Sequence, residues 1–149
     1  LINSTYPNRD LTGVGVAFKL AHAIVNTLVE NGSMQPSEMD LKKYLDLVAL
    51  GTIADMGALK GENRILVRYG LKEMRQMKRV GLASLFSMSE LSAQDNITPA
   101  DIASKIAPRL NSLGRIADPI KGVELLLIRD EKAAEKLVKS IFRRRRMRW

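Results

Sequence analysis

The sequence has no cysteine and a single histidine, His22. That excludes a disulfide framework, thiolate metal sites and a histidine-based metal site within this chain, and makes a reducing compartment the default. Aromatic residues are only 5% of the total, so aliphatic packing must dominate the core and stacked-base platforms have little raw material. No apolar run reaches the roughly 20 residues of a membrane span, and nothing at the start has signal-peptide form. The expected setting is therefore cytoplasmic, with no membrane partner. No P-loop, dinucleotide glycine fingerprint, nucleophile elbow or zinc finger is present. No stretch alternates with the period of a strand, so a nearly all-helical chain is expected.

What is present is aliphatic and basic. Hydrophobic residues make up 46% and the net charge is +8 over 149 residues, enough length for one domain with a real core. Arg143, Arg144, Arg145, Arg146 and Arg148 supply five of those charges, leaving +3 for the rest. The basic character thus describes a tail more than a body. The opening, Leu-Ile-Asn-Ser-Thr-Tyr-Pro, has the look of interior sequence, and the chain is expected to be a piece of a longer protein.

Turn and cap residues divide the chain. Asn3 to Asp10 is turn-rich, and Asp10 or Thr12 is placed to cap a helix running to about Glu30, ended by Asn31-Gly32. That helix is apolar nearly all round apart from Lys19, His22 and Asn26, which predicts deep packing. Gly13 and Gly15 suggest close backbone approach. Ser37 is expected to cap a second helix leading into Leu45–Met56. A third helix is expected from Glu62 to about Arg79, with Ile65, Leu66, Tyr69, Met74 and Met77 toward the core. Arg64, Arg68, Lys72, Arg75 and Arg79 then form one basic stripe. Further helices are expected from Gly81 to Leu91, after the Thr98-Pro99 start signal, from Pro119 to about Ile128 and from Glu131 to about Phe142. Pro108 to Arg115 is expected to interrupt them as an irregular segment.

The chemistry-bearing stretch is Leu-Asp-Leu-Val-Ala-Leu-Gly-Thr-Ile-Ala-Asp-Met, residues 45–56. It is almost wholly apolar, so an aspartate at its end is expected where solvent is scarce. A cap or ion pair would explain such a residue, and so would a hard divalent cation, which prefers carboxylate oxygen. Asp46 and Asp55 are nine residues apart and face opposite ways on one straight helix at ~100° per residue. They could share a site only if Gly51-Thr52 broke the helix. The basic stripe reads first as a solvated face and only second as a phosphate-contacting one. Arg109, Asn111 and Arg115 offer fork-shaped donors for phosphate or the polar needs of a turn.

Four blocks occur in order: Leu-Thr-Gly-Val-Gly-Val-Ala-Phe-Lys-Leu (11–20), Asp-Leu-Val-Ala-Leu-Gly-Thr-Ile-Ala-Asp (46–55), Glu-Asn-Arg-Ile-Leu-Val (62–67) and Pro-Arg-Leu-Asn-Ser-Leu-Gly-Arg-Ile (108–116). Together they resemble the RecJ-type single-strand-specific exonucleases of the DHH phosphoesterase superfamily, from about Leu1 to Ile141. The resemblance implies 5′-to-3′ hydrolysis of single-stranded nucleic acid, DNA rather than RNA, with two divalent cations, Mn²⁺ or Mg²⁺. It implies Asp55 as a catalytic metal ligand, Asp46 as structural, and Asn63, Arg64, Arg109, Asn111 and Arg115 as phosphate contacts. The family's first three motifs, including its Asp-His-His, have no counterpart here, and the tail after Ile141 departs from the pattern.

The expectation is a mostly α-helical fragment of an α/β DHH phosphoesterase fold whose parallel-sheet half is missing. Residues 1–79 would be the C-terminal part of the catalytic domain, 80–142 a helical region leading toward the next domain, and 143–149 a basic tail, with its native or non-native origin open. Its partners would be single-stranded nucleic acid and the rest of the parent chain, and alone it would be inactive. The competing readings are a non-catalytic helical nucleic-acid-binding module and a DHH phosphoesterase acting on small oligonucleotides or cyclic dinucleotides.

Overall fold

The computed structural model describes residues 5–116 and 119–146, with side chains described for 5–112 and 119–143. Among the described residues every regular element is helical. The chain divides between Met74 and Arg75 into two compact units.

The first unit holds α1 (Gly13–Glu30), a 3₁₀ turn (Leu41–Tyr44), α2 (Leu45–Ala54) and α3 (Gly61–Met74). Helix α2 is its axis. Val48, Ala49, Leu50, Thr52 and Ile53 are all buried, so the helix is enclosed on every side, as an apolar run without a polar face requires. It does not break at Gly51-Thr52. Those two residues are where neighbours come close: a Cβ on Gly51 would lie 2.8 Å from Val14 Cγ1 of α1. Helix α3 buries Asn63, Val67, Gly70, Leu71 and Met74, and at Gly70 it comes so near α2 that a Cβ would overlap the Leu45 carbonyl.

Several expectations are corrected here. Helix α1 is not deeply packed. Only Gly15 is fully buried, while Val16, Leu20 and Ile24 are 54%, 61% and 51% exposed. An all-apolar helix needs partners around its circumference, and this unit covers one side. Gly13 has open space, whereas Gly15 meets Leu11. Thr12 stands at the N-cap of α1 but does not cap it, because its hydroxyl is bonded to that of Thr52 at 3.1 Å. Residues 36–39 form no helix. Asp40, rather than Ser37, caps the next element, accepting from the Lys42 N–H. Helix α3 stops at Met74, so Arg75 and Arg79 are not on it. Arg64, Arg68 and Lys72 remain as its exposed cations. Ile65 and Tyr69 are half-exposed rather than in the core; they line an apolar groove of about 530 Å³ shared with Phe18, His22, Leu41 and Leu45.

The second unit holds α4 (Val80–Ser87), α5 (Pro99–Asp101), a π-helical turn (Ile102–Ile106), α6 (Ala107–Ile116), α7 (Ile120–Leu127) and α8 (Glu131–Arg146). Its core is Leu82, Leu85, Phe86, Ile97, Ile102, Ile106, Leu125, Ala134, Val138 and Ile141. Gly81 lets α4 lie against the Leu125 carbonyl of α7. Thr98 and Asp101 form a reciprocal capping box with Pro99 inside it, as the start signal predicts. Pro108 does not interrupt the helix. The preceding turn widens so that Ala107 N–H bonds Ile102 O, an i to i−5 step, which leaves room for a ring that lacks a donor and crowds the turn before it.

Candidate functional site

Asp55 is the C-cap of α2. It is exposed, contrary to the expectation of scarce solvent, because the buried helix ends one residue earlier. The end is a complete Schellman motif. Met56 adopts a left-handed conformation (φ 54°), its N–H bonds Ile53 O at 3.0 Å, and Gly57 N–H bonds Thr52 O at 2.9 Å. Glycine is the usual residue there; a methionine, 91% exposed, holds a strained position. The carboxylate thus sits on a rigid corner at the negative end of the helix macrodipole, where an anion is disfavoured and a cation is favoured.

The corner is fastened by Asn63. Its side chain is fully buried, and its amide donates to the carbonyls of Asp10 at 2.7 Å and Ala58 at 3.1 Å. Its Oδ1 is buried without a hydrogen-bond partner. The segment before α1 is tied down beside it. Glu62 accepts from Lys19 at 2.7 Å, from Tyr6 at 3.0 Å and from Asn8 at 3.3 Å, and Lys60 pairs with Asp10 at 3.3 Å. The hydrogen bond from Lys19 is the main reason the Glu62 carboxyl is held below its ordinary range, and the same bond holds the Lys19 ammonium above its own. Sequence reasoning missed this latch, because nothing in the spacing joins residues 43 and 56 positions apart.

Asn63 is an interior tie in this structure: its side chain is fully buried and held by two carbonyls. Asp46, by contrast, is 6% exposed in the first turn of α2, accepting from Leu47 N–H at 2.7 Å, where the dipole favours it. Arg64 is exposed. In the second unit Arg109 gives its guanidinium to the Lys105 carbonyl one turn before it, and stacks over the Phe142 ring at 4.5 Å. Asn111 is exposed on α6. Arg115 lies one turn further on, with its side chain outside the described residues. Arg75 is held by the loop before α5, donating to Asn96 Oδ1 at 2.6 Å and Ile97 O at 3.0 Å.

The donor set fits one ligand of a cation site and no more. Among the described residues no three His, Cys, Asp or Glu side chains come together. Asp55 offers one hard oxygen donor, and two cations would need more donors than the described residues bring together.

No protein-family model matches the chain. The single-stranded-DNA-specific exonuclease RecJ of Bacillus subtilis (strain 168) is 40% identical over 139 residues, covering 92% of the chain and 16% of that protein. RecJ of Escherichia coli (strain K12) is 38% identical over 131 residues, covering 85% and 22%. The crystal structure of RecJ from Thermus thermophilus in complex with Mn²⁺ superposes with a TM-score of 0.77 at 34% identity, over 98% of this chain and 21% of that one. A second, of exonuclease RecJ bound to manganese, gives 0.78 at 34% identity over 98% and 36%. Sequence and fold together define a helical segment of a DHH-type protein. Within that class the chain belongs to the RecJ family, and it spans only 16% to 25% of the length of the first curated relatives it matches.

Proposed function

We propose that this chain is the helical segment of a metal-dependent, single-stranded-DNA-specific 5′-to-3′ exonuclease that works in the cytoplasm. Residues 1–79 would close the catalytic domain, and 80–142 would lead toward the next. The observation that carries this reading is Asp55, an exposed carboxylate on a rigid corner where the helix dipole favours a cation. Bound divalent cations, Mn²⁺ or Mg²⁺, would supply an activated water and stabilise the leaving oxygen of a phosphodiester. This chain's part is narrower. Asp55 would contribute one metal ligand, Asn63 and the Glu62 latch would keep its corner in place, and Arg64, Asn111 and Arg115 would contact phosphate. Arg109 would shape α6 and face the phosphates alongside them. The exposed stripe Val16, Leu20 and Ile24, and the exposed Ile120, Val123 and Leu127 of α7, suit burial against the parallel sheet expected in the parent chain.

The test is Asp55→Ala in the longer parent protein. Mn²⁺-dependent release of nucleotides from single-stranded DNA should fall on the order of a hundredfold or more, with binding of the strand retained. The isolated 149-residue chain should release none. Unchanged cleavage in Asp55→Ala would refute the assignment. The second reading, a non-catalytic nucleic-acid-binding module, is favoured by the exposed Arg64, Arg68 and Lys72. It predicts binding by a parent protein that releases no nucleotides at all.

A further inference from the structure

Helix α8 presents a second feature that the site above does not use. Lys132, Lys136, Lys139 and Arg143 are all exposed on it. At ~100° and 1.5 Å per residue their spacings of four, three and four place them within about 60° of arc and along about 16 Å of axis. They line one open surface together with Glu135 and Ser140. The sole acid there, Glu135, flanks the row and pairs with Lys139 at 3.2 Å.

We propose that this row is a docking track for the phosphate backbone of single-stranded DNA. The inference rests on the nucleic-acid reading above and adds a contact surface to it. Charge complementarity and linearity support it: four cations in one row along about 16 Å face a strand that carries a negative charge at every nucleotide. The chemistry disfavours other polyanionic partners. A helix lying on a membrane must offer an apolar face to the lipid, and the apolar face of α8 is spent: Ala134, Val138 and Ile141 are buried in the core of its own unit. A protein partner would want aromatic or aliphatic anchors, and the row contains none.

The experiment measures binding of the 149-residue chain to a fluorescent oligo-dT strand across a salt series. The comparison is with the charge-neutral variant K132Q/K136Q/K139Q/R143Q. Four single-strand phosphate contacts contribute about 2.8 to the slope of log affinity against log salt. The variant should therefore be shallower by about that amount, and between about 50 and 200 mM salt it should lose about 50-fold less affinity than the parent sequence. E135Q should bind at least as tightly as the parent sequence, and far-UV circular dichroism should be the same for all three. An unaltered slope with retained circular dichroism would overturn the proposal. So would charge-dependent binding to phosphatidylserine vesicles without binding to oligo-dT. A variant that fails to fold would also overturn it, since solvated residues on one helix face do not hold a core together. Because the readout is equilibrium binding, its failure leaves the Asp55→Ala cleavage test standing, and the reverse also holds.

Discussion

Asn63→Ala separates an interior tie from a surface contact. The substitution removes the donor to Asp10 O and the donor to Ala58 O. The two carbonyls are affected unequally, because Ala58 O also accepts from Lys60 N–H at 2.9 Å, and its loss is a weakened bond. Asp10 O loses its side-chain donor. Together these losses amount to about 2–4 kcal/mol. Two gains offset them. The partnerless Oδ1 disappears, relieving about 1–2 kcal/mol, and alanine is the better helix former by about 0.5 kcal/mol. The net expectation is a destabilisation of about 0.5–1.5 kcal/mol. Asn63→Asp is the harsher change, since it places a buried charge against two carbonyls at a cost of about 3–5 kcal/mol. Urea unfolding followed by far-UV circular dichroism measures both, and amide exchange should quicken in residues 57–60. A surface phosphate contact would behave otherwise, with both variants within about 0.5 kcal/mol of the parent sequence. That result, with the aspartate no worse than the alanine, would refute the interior-tie reasoning.

The glycines give a matched pair: Gly70→Ala would thrust a methyl into the Leu45 carbonyl and to 2.5 Å from Ala49 Cβ, destabilising by about 1–3 kcal/mol. Gly13→Ala, with nothing within 4 Å, should stabilise by about 0.5 kcal/mol, and thermal melts would show opposite signs. For the Glu62 latch, the carboxyl titrates lower in the folded chain than its ordinary 4.5, so its contribution is full above that value. It is lost as pH falls through the depressed one. Glu62→Gln should flatten the acid limb of the stability profile by less than about 1 kcal/mol, since the pair is partly exposed; an acid limb identical to the parent's would contradict it. Lys19 titrates higher in the folded chain than its ordinary 10.5, so its share persists until pH rises through the raised value.

The sequence alone determined the elements that rest on local rules. The Thr98-Pro99 start, the Asn31-Gly32 stop and the enclosure of Leu45–Ala54 follow from cap chemistry and from a run with no polar face. Four ordered blocks carried the family. What tertiary structure decided is everything that depends on which neighbour is present. An apolar helix such as α1 reads as buried, yet Val16, Leu20 and Ile24 are exposed because burial belongs to the pair and not to the helix. Pro108 reads as a break, but a π turn five residues long absorbs it. Asn63 and Arg64 are adjacent in one motif, and a step of about 100° sends one into the core and the other into water. The Schellman corner at Asp55 was invisible because its key residue is Met56 rather than glycine. The latch on Glu62 was invisible because its partners come from far along the chain. Residue identity fixed which groups could ligate, donate or pair. Only packing fixed which of them are free to do so.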